Sequence, residues 1–214
     1  MLEPDYIHDT RSSYDAMAEP YADFVRHELD TFPVARAMLA VFAELVTADG
    51  GGQVLDAGCG VGRICCHLAG LGLDVSGVDL SPGMLEVARR EHPGHEYTEG
   101  SLLDLPAGDA SYAGALAWYS LIHVPPVDQP RALAELHRVL RPGGHLLLAF
   151  QVGDEPSHRT VAGGIPVRLT FHRINLERIA GLLADAGFEV LSSTRREREP
   201  DEPTAQGIVL ARKP

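Results

Sequence analysis

Between residues 53 and 150, short apolar runs alternate with segments of helical periodicity. The runs read "QVLDAG", "DVSGVDL", "HEYTEG", "YAGALAWYS" and "HLLLAF", and helical patterns such as "GRICCHLAGLG" and "SPGMLEVARREHP" lie between them. Strands that alternate with helices in this way are typical of a parallel sheet covered on both faces. The alternation therefore predicts an α/β fold.

The flanking segments extend this prediction to all 214 residues, a length that fits one domain. Residues 1–50 carry two amphipathic helical patterns, a predicted helical lead-in over the core at 51–150. In residues 175–214, Asn175 is the predicted cap of a helix, and two strands follow with no helix between them. The whole pattern predicts a doubly wound, mostly parallel seven-stranded sheet with helices on both faces and a C-terminal antiparallel hairpin at its edge.

Two further features concern helix ends and an irregular stretch. Ser81 is the predicted cap of "SPGMLEVARREHP", and the helix in "DQPRALAELHRVLRPGG" is predicted to end at Pro-Gly-Gly.

Residues 151–174 show no clear period, and they contain two prolines and the pair Gly163 and Gly164. A bare loop of that length is uncommon, so we expect a functional, substrate-side insert or a small subdomain there.

Charge and cysteine content exclude several classes of protein. Acids outnumber bases 30 to 18, and a net charge of −12 argues against non-specific binding of nucleic acid. The three clustered cysteines, Cys59, Cys65 and Cys66, predict neither a disulfide framework nor a metal site, because no second Cys/His cluster follows. Reduced thiols, no signal peptide and no run of eighteen apolar residues predict a cytoplasmic protein without a membrane span.

The glycine-rich stretch "VLDAGCGVGRI" follows the first predicted strand and opens a helix. Such a turn can be a phosphate cradle, a loop for another cofactor, or an ordinary connection. The dinucleotide spacing G-x-G-x-x-G, counted from Gly58 or Gly60, requires a third glycine where the chain has Arg63 or Cys65. Asp56 would repel a pyrophosphate but attract an ammonium group. The loop therefore favours a cofactor that carries a cationic amine.

The stretch resembles the first motif of the class I S-adenosylmethionine-dependent methyltransferases. "VSGVDLSPGML", "EGSLLDLP", "ALAWYSLIHV" and "LHRVLRPGGHLLLAF" resemble that family's second to fifth motifs, in its order and nearly its spacing. The resemblance covers residues 50–150, and the terminal hairpin fits the family's last two strands. It implies a Rossmann-like methyltransferase that uses S-adenosyl-L-methionine and releases S-adenosyl-L-homocysteine.

The resemblance also implies residues for the methionine half of the cofactor. Asp56 would orient the amine, and Arg63 would either approach the carboxylate or remain a solvated side chain. The loop positions implied to line this half are Gly58, Cys59, Gly60 and Gly62.

For the nucleoside half, the resemblance implies that Asp79, at the end of the second strand, accepts hydrogen bonds from both ribose hydroxyls. Leu80 and Met84 would pack on the adenine. The family usually has an acid where this chain has Ser101, so the adenine contact is expected to be weaker or to pass to the backbone of Leu102.

Two segments are implied to border the methyl group. Ala117 and Trp118 end the fourth strand, where their carbonyls would face the cofactor's amine and sulfonium. Tyr14 and Tyr21 resemble the family's "Y-x-x-x-A-x-x-Y" lead-in, which folds over the cofactor. The alternative for both tyrosines is a helix that only packs its apolar stripe on the sheet.

Candidate acceptor residues follow the fourth strand and the fifth. His123 is the candidate catalytic base, with local packing as the alternative, since histidine suits proton transfer at neutral pH. Tyr119 is a candidate substrate wall, and Arg168 in the insert could bind an acidic substrate group, with solvated loop charge as the alternative.

The acceptor is predicted to be a small molecule, with O- or N-methylation favoured and C-methylation possible. No nucleic-acid, membrane or metal partner is expected, and the protein is expected to be a monomer or homodimer. Two alternatives stay open: a non-catalytic module that binds S-adenosylmethionine or its product, and an NAD-dependent oxidoreductase.

Overall fold

The structure is a computed structural model that describes residues 4–200 and 202–214. Its strands are β1 (Gln53–Ala57), β2 (Asp74–Asp79), β3 (Tyr97–Glu99), β4 (Tyr112–Trp118), β5 (Leu140–Gln151), β6 (Ser157–Ala162), β7 (Ile165–Phe171), β8 (Glu189–Arg196) and β9 (Gln206–Arg212). Its helices are α1 (Asp5–Val25), α2 (Glu28–Thr31), α3 (Pro33–Ala48), α4 (Arg63–Gly70), α5 (Pro82–Glu91), α6 (Gln129–Val139) and α7 (Leu176–Asp185).

The main sheet has seven strands in the order β3-β2-β1-β4-β5-β9-β8. The pairs from β3 to β5 are parallel, and β9 pairs antiparallel with both β5 and β8. The predicted α/β sheet with a C-terminal antiparallel hairpin is confirmed. Strand order reverses between β1 and β4, and that switch point opens a crevice at the carboxyl ends of the strands.

Helices cover both faces of the sheet, as predicted. One apolar cluster joins the sheet to α6 and α7 through residues such as Leu136 and Leu183, and the other joins it to α3, α4 and α5 through residues such as Phe42 and Leu68. The sheet is buried on both faces because successive residues of each strand point to opposite sides.

The helix-end predictions are confirmed at two of three positions. The Ser81 hydroxyl accepts from the Met84 amide at 3.1 Å, and the Asn175 side chain accepts from the Arg178 amide at 2.7 Å. The prediction that Pro-Gly-Gly ends α6 is wrong. Leu140 is already extended and pairs with Tyr112 of β4, so the sheet ladder takes over the backbone before the proline is reached.

The stretch 151–174 is largely a hairpin of β6 and β7, whose regularity the sequence did not reveal. Gly163 and Gly164 form its turn at φ angles of 55° and 82°, a backbone that glycine adopts without a steric penalty. The hairpin is joined to α1, because the Arg168 amide donates to the Ser13 hydroxyl at 2.8 Å.

The three cysteines are free thiols, and Cys65 is buried on α4 while Cys66 is exposed. Within the described ranges, no cluster of three or more His, Cys, Asp or Glu side chains could hold a metal ion. In the same ranges no single helix is long and apolar enough to cross a membrane. The segments Asp5–Thr31 and Pro33–Ala48 reach the length and hydropathy of a membrane span only when they are taken together, and they are bent by 82° relative to each other.

Candidate active site

A cleft with about 830 Å³ of empty volume lies at the carboxyl ends of β1, β2 and β4, beneath α1. The cleft brings together twelve of the residues predicted from sequence, which are Tyr14, Tyr21, Gly58, Gly60, Asp79, Leu80, Met84, Ser101, Leu102, Trp118, Tyr119 and His123.

The glycine loop is shaped by close contact with the segment after β4. Gly58 has a φ of 86°, and a Cβ built on it would lie 2.2 Å from the Cβ of Ser120. Ser120 cannot simply move away, because its hydroxyl donates to the Ala57 carbonyl at 2.6 Å. Glycine at this position therefore lets the loop turn tightly and keeps its backbone open to the cleft.

Asp79 holds the loop in place and also faces the cleft. One carboxylate oxygen accepts from the Gly60 amide at 2.8 Å, and the other accepts from the Ser81 amide at 2.9 Å. A carboxylate has about four lone-pair sites, so the group can still accept a hydrogen bond from a ligand. The side chain is thus fixed in an orientation that suits a pair of adjacent hydroxyl donors.

A side pocket at the glycine loop shares Tyr21, Gly58, Gly60 and Trp118 with the cleft. Its lining residues include Tyr21, Asp56, Gly58, Arg63 and Trp118. Asp56 is buried at the base of the loop, where one carboxylate oxygen accepts from the Cys65 thiol at 3.4 Å. The other oxygen, Oδ1, has no hydrogen-bond partner in the described part of the chain. Burial raises the pKa of Asp56 to about 7.

Arg63 supplies the opposite charge in the same pocket. Its guanidinium forms an ion pair with Glu28 of α2, and its Nη1 is buried without a hydrogen-bond partner among the described residues. The alternative of a solvated side chain therefore does not apply. An unpartnered carboxylate oxygen and an unpartnered guanidinium nitrogen in one pocket complement a zwitterion with an amine and a carboxylate.

The other end of the cleft includes apolar side chains that follow β2 and β3. The Met84 side chain is buried there at the start of α5, and Leu80 and Leu102 are half-buried. The Ser101 hydroxyl accepts from the Leu103 amide at 3.1 Å, which orients its oxygen within the turn. These apolar side chains can pack against a planar ring.

Tyr14 of α1 contacts His123, which follows β4, and both residues line the cleft. The Tyr14 hydroxyl lies 2.8 Å from Nε2 of His123, and Nδ1 lies 3.3 Å from the Thr170 carbonyl. The carbonyl can only accept, so Nδ1 carries the proton and Nε2 accepts from the tyrosine. Burial lowers the pKa of His123 to about 4, and the ring is therefore neutral at pH 7.

Trp118 and Tyr119 form the wall at the end of β4. Tyr119 has a φ of 58°, unusual for a residue with a bulky side chain, while its amide donates to the Ala149 carbonyl at 2.9 Å. Such backbone strain is retained where the surrounding structure fixes it, often at functional sites. Here it turns the chain out of the sheet and sets the ring against the cleft.

Cys59 lines the side pocket, but three predicted site residues line neither that pocket nor the cleft: Gly62, Ala117 and Arg168. Ala117, whose carbonyl was the predicted contact, is buried within the sheet. The Arg168 guanidinium is 82% exposed and lies 3.6 Å from Asp9. Arg168 is thus held on the outer surface by its strand register, because its inward neighbours Val167 and Leu169 are the buried ones.

Sequence reasoning missed two acids that fasten the lead-in to the core. Asp15 of α1 accepts from the Ser81 hydroxyl at 2.6 Å and from the Gly83 amide at 2.9 Å. Glu28 of α2 pairs with Arg63. Neither acid lies near its partner in the chain, so no spacing could have indicated these contacts.

Residues 54–144 match a family model described as a methyltransferase domain. The chain is 35% identical over 158 residues to the O-methyltransferase cnsE of Penicillium expansum, which covers 67% of this chain and 54% of that protein. It is 32% identical over 193 residues to the methyltransferase GfsG of Streptomyces halstedii, which covers 84% of this chain and 68% of that protein. The chain belongs to the class I S-adenosylmethionine-dependent methyltransferases.

Among solved structures, a methyltransferase of Burkholderia thailandensis superimposes on this one with a TM-score of 0.72 and 27% identity, over 100% of this chain and 91% of that chain. It is the 1,6-didemethyltoxoflavin-N1-methyltransferase with bound 1,6-didemethyltoxoflavin and S-adenosylhomocysteine. This methyltransferase chain spans about half the length of the first curated relative that it matches.

Proposed function

We propose that the protein transfers a methyl group from S-adenosylmethionine to a small-molecule acceptor, with oxygen and nitrogen acceptors favoured over carbon. The observation that carries the proposal is the side pocket with the unpartnered atoms of Asp56 and Arg63. S-adenosylmethionine ends in an amino acid, whose amine and carboxylate complement these two groups. A pyrophosphate would meet the Asp56 carboxylate with the wrong charge, which disfavours NAD.

The cleft fits the rest of the cofactor. The Asp79 carboxylate, which lines the cleft, suits the ribose hydroxyls, and Met84 and Leu80 offer apolar contact to the adenine. Ser101, whose oxygen already accepts from the backbone, offers a weaker polar contact than an acid would, and the Leu102 backbone lies beside it.

When bound, S-adenosylmethionine supplies a methyl group on a cationic sulfur, which is already a good leaving group. The protein therefore mainly has to orient the acceptor and exclude water. Tyr119 and Trp118 would form the wall along which the acceptor lies.

We assign His123 a positioning role instead of the base predicted from sequence. Both of its nitrogens are engaged, by Tyr14 and by the Thr170 carbonyl. The neutral ring is also a weak base, because the pKa of its protonated form is about 4. In this role, His123 holds the Tyr14 hydroxyl and so fixes α1 over the cleft.

Calorimetry with four ligands tests the proposal. S-adenosylmethionine and S-adenosylhomocysteine should bind, and NAD should not. Asp56→Asn and Arg63→Gln should weaken both binders while leaving 5′-methylthioadenosine, which lacks the amino acid, unchanged. Binding of NAD alone would overturn the proposal.

Turnover separates an enzyme from a binding module. Release of S-adenosylhomocysteine should be followed over a panel of small phenols, amines and carboxylic acids. Tight cofactor binding with no methyl transfer to any acceptor, including extracts of the source metabolome, would favour the non-catalytic alternative.

A further inference from the structure

A second, smaller cavity, which we call the β9 pocket, shares Trp118 and Tyr119 with the cleft. Its other walls include Leu29, Phe32 and Ala35, from α2 and the start of α3, and Arg196, Gln206 and Ile208, from β8 and β9. No motif of the sequence pointed to it, because its walls come from three distant parts of the chain.

Trp118 lines the cleft, the side pocket and the β9 pocket. A cofactor with its nucleoside in the cleft and its amino acid in the side pocket has its sulfur where these two spaces join, beside Trp118. Displacement at the methyl carbon requires the acceptor atom close by and in line. The β9 pocket also borders Trp118, together with Tyr119.

The charged groups around the β9 pocket are already paired with each other. Both terminal nitrogens of the Arg196 guanidinium donate to Glu202, Nη1 at 2.7 Å, and the guanidinium lies 4.8 Å from the centre of the Phe32 ring. Glu28, which also lines the pocket, is paired with Arg63. The described lining therefore offers an anionic ligand no unpaired cation.

Gln206 is a polar residue of the pocket whose side chain can accept a further hydrogen bond. The residue is 5% exposed, and its amide nitrogen donates to the Thr204 carbonyl at 2.9 Å. Its amide oxygen has no hydrogen-bond partner within the described chain. A buried carbonyl oxygen without a partner is unfavourable, and a ligand that donates a hydrogen bond would relieve this.

We propose that the β9 pocket holds the methyl acceptor, and that the acceptor is a neutral, planar ring compound whose hydroxyl or N–H donates to the Gln206 amide oxygen. The aromatic and aliphatic side chains of the walls provide contacts for a planar ring. Arg196 is already paired with Glu202, so a ligand carboxylate would find no unpaired cation among the described lining residues. The proposal rests on the proposed methyl transfer, because it takes the position of the sulfur from the cofactor's fit.

Filling the pocket tests its location. Ala35→Phe places a ring in the pocket, and Ala37→Phe makes the same change at an exposed position of the same helix. Protein saturated with S-adenosylhomocysteine is titrated with 2-naphthol. Ala35→Phe should weaken 2-naphthol binding at least tenfold with unchanged affinity for S-adenosylhomocysteine, and Ala37→Phe should change neither. Wild-type 2-naphthol affinity in Ala35→Phe would overturn the proposal and move the acceptor toward His123.

Three ligands with the same ring system but different substituents test whether the pocket prefers a neutral hydrogen-bond donor. Wild-type protein should bind 2-naphthol at least tenfold more tightly than 2-methoxynaphthalene, which has no donor, and than 2-naphthoate, which is anionic. Gln206→Leu should remove the difference between the first two ligands. Tighter binding of 2-naphthoate, or an unchanged preference in Gln206→Leu, would contradict the proposal.

The titration with S-adenosylhomocysteine separates the two proposals. Wild-type protein that fails to bind it contradicts the proposed function itself. Protein that binds it but takes up neither 2-naphthol nor other neutral phenols contradicts the acceptor proposal alone.

Discussion

The hydroxyl of Tyr14 donates to Nε2 of His123 across 2.8 Å, and this bond joins the N-terminal helix to the turn that follows β4. Nδ1 of the same ring lies 3.3 Å from the Thr170 carbonyl of β7, so one imidazole connects three segments above the cleft. Because both nitrogens are used, the geometry of His123, the base predicted from sequence, is that of a residue that holds neighbouring segments together.

Tyr14→Phe and His123→Ala are expected to behave alike. Each should raise the Kd for S-adenosylmethionine about tenfold or less and lower kcat less than tenfold, because each releases the same contact. The double variant should be no worse than the poorer single one, as for residues that act as a unit. A loss of about a hundredfold in kcat for His123→Ala, with normal cofactor affinity, would restore the role of base.

His123 should also make the protein sensitive to acid. Its pKa is about 4 in the folded protein and 6.5 in the unfolded chain, so the unfolded state binds more protons between these values. The free energy of unfolding should therefore fall as pH is lowered from 6.5 to 4, by up to about 1.4 kcal/mol per pH unit. Urea titrations of His123→Gln should show a flatter dependence, while His8→Gln, at an exposed position, should keep the wild-type slope.

Cofactor affinity should depend on pH through Asp56. Its pKa of about 7 means that the carboxylate is mostly protonated in mildly acid solution and cannot pair with an ammonium group. The Kd for S-adenosylhomocysteine should rise roughly tenfold per pH unit below pH 7, and binding should release a proton. Asp56→Asn should bind more weakly and lose this dependence. A flat profile in the wild type would argue against contact between Asp56 and the amine.

Asp79→Ala should weaken cofactor binding by about 1–3 kcal/mol, through the loss of hydrogen bonds to the ribose. The same change at Asp74, exposed at the start of β2, is the matched control and should leave the Kd unchanged. Calorimetry with 5′-methylthioadenosine isolates the nucleoside contact. An unchanged Kd for Asp79→Ala would remove the ribose role.

Gly58→Ala should destabilise the fold more than Gly72→Ala does. Both glycines have positive φ angles, 86° and 91°, so each alanine incurs a backbone penalty of about 1 kcal/mol. At Gly58 the added Cβ also overlaps Ser120, and the overlap should add about 1–3 kcal/mol, while Gly72 has open space. Urea denaturation measures the difference. Equal losses would show that Ser120 moves aside freely.

Local patterns indicated the elements from which the cleft is built. The strand–helix alternation predicted the sheet, and the position of Asp79 after an apolar strand predicted a side chain at its carboxyl edge. These inferences succeed because period, caps and strand ends depend on neighbouring residues. The β6–β7 hairpin escaped prediction, because its strands alternate weakly and are stabilised partly by contact with α1.

The sequence alone determined the fold class, the glycine loop and the acids at the ends of β1 and β2, since each depends on short-range spacing. Only the tertiary structure decided that Arg63 meets Glu28, that His123 is engaged by Tyr14, and that Arg168 lies outside the cleft. It also formed the β9 pocket from α2, α3, β8 and β9. The physical reason is that burial and pairing depend on which distant segments pack together, and residue spacing does not encode those contacts.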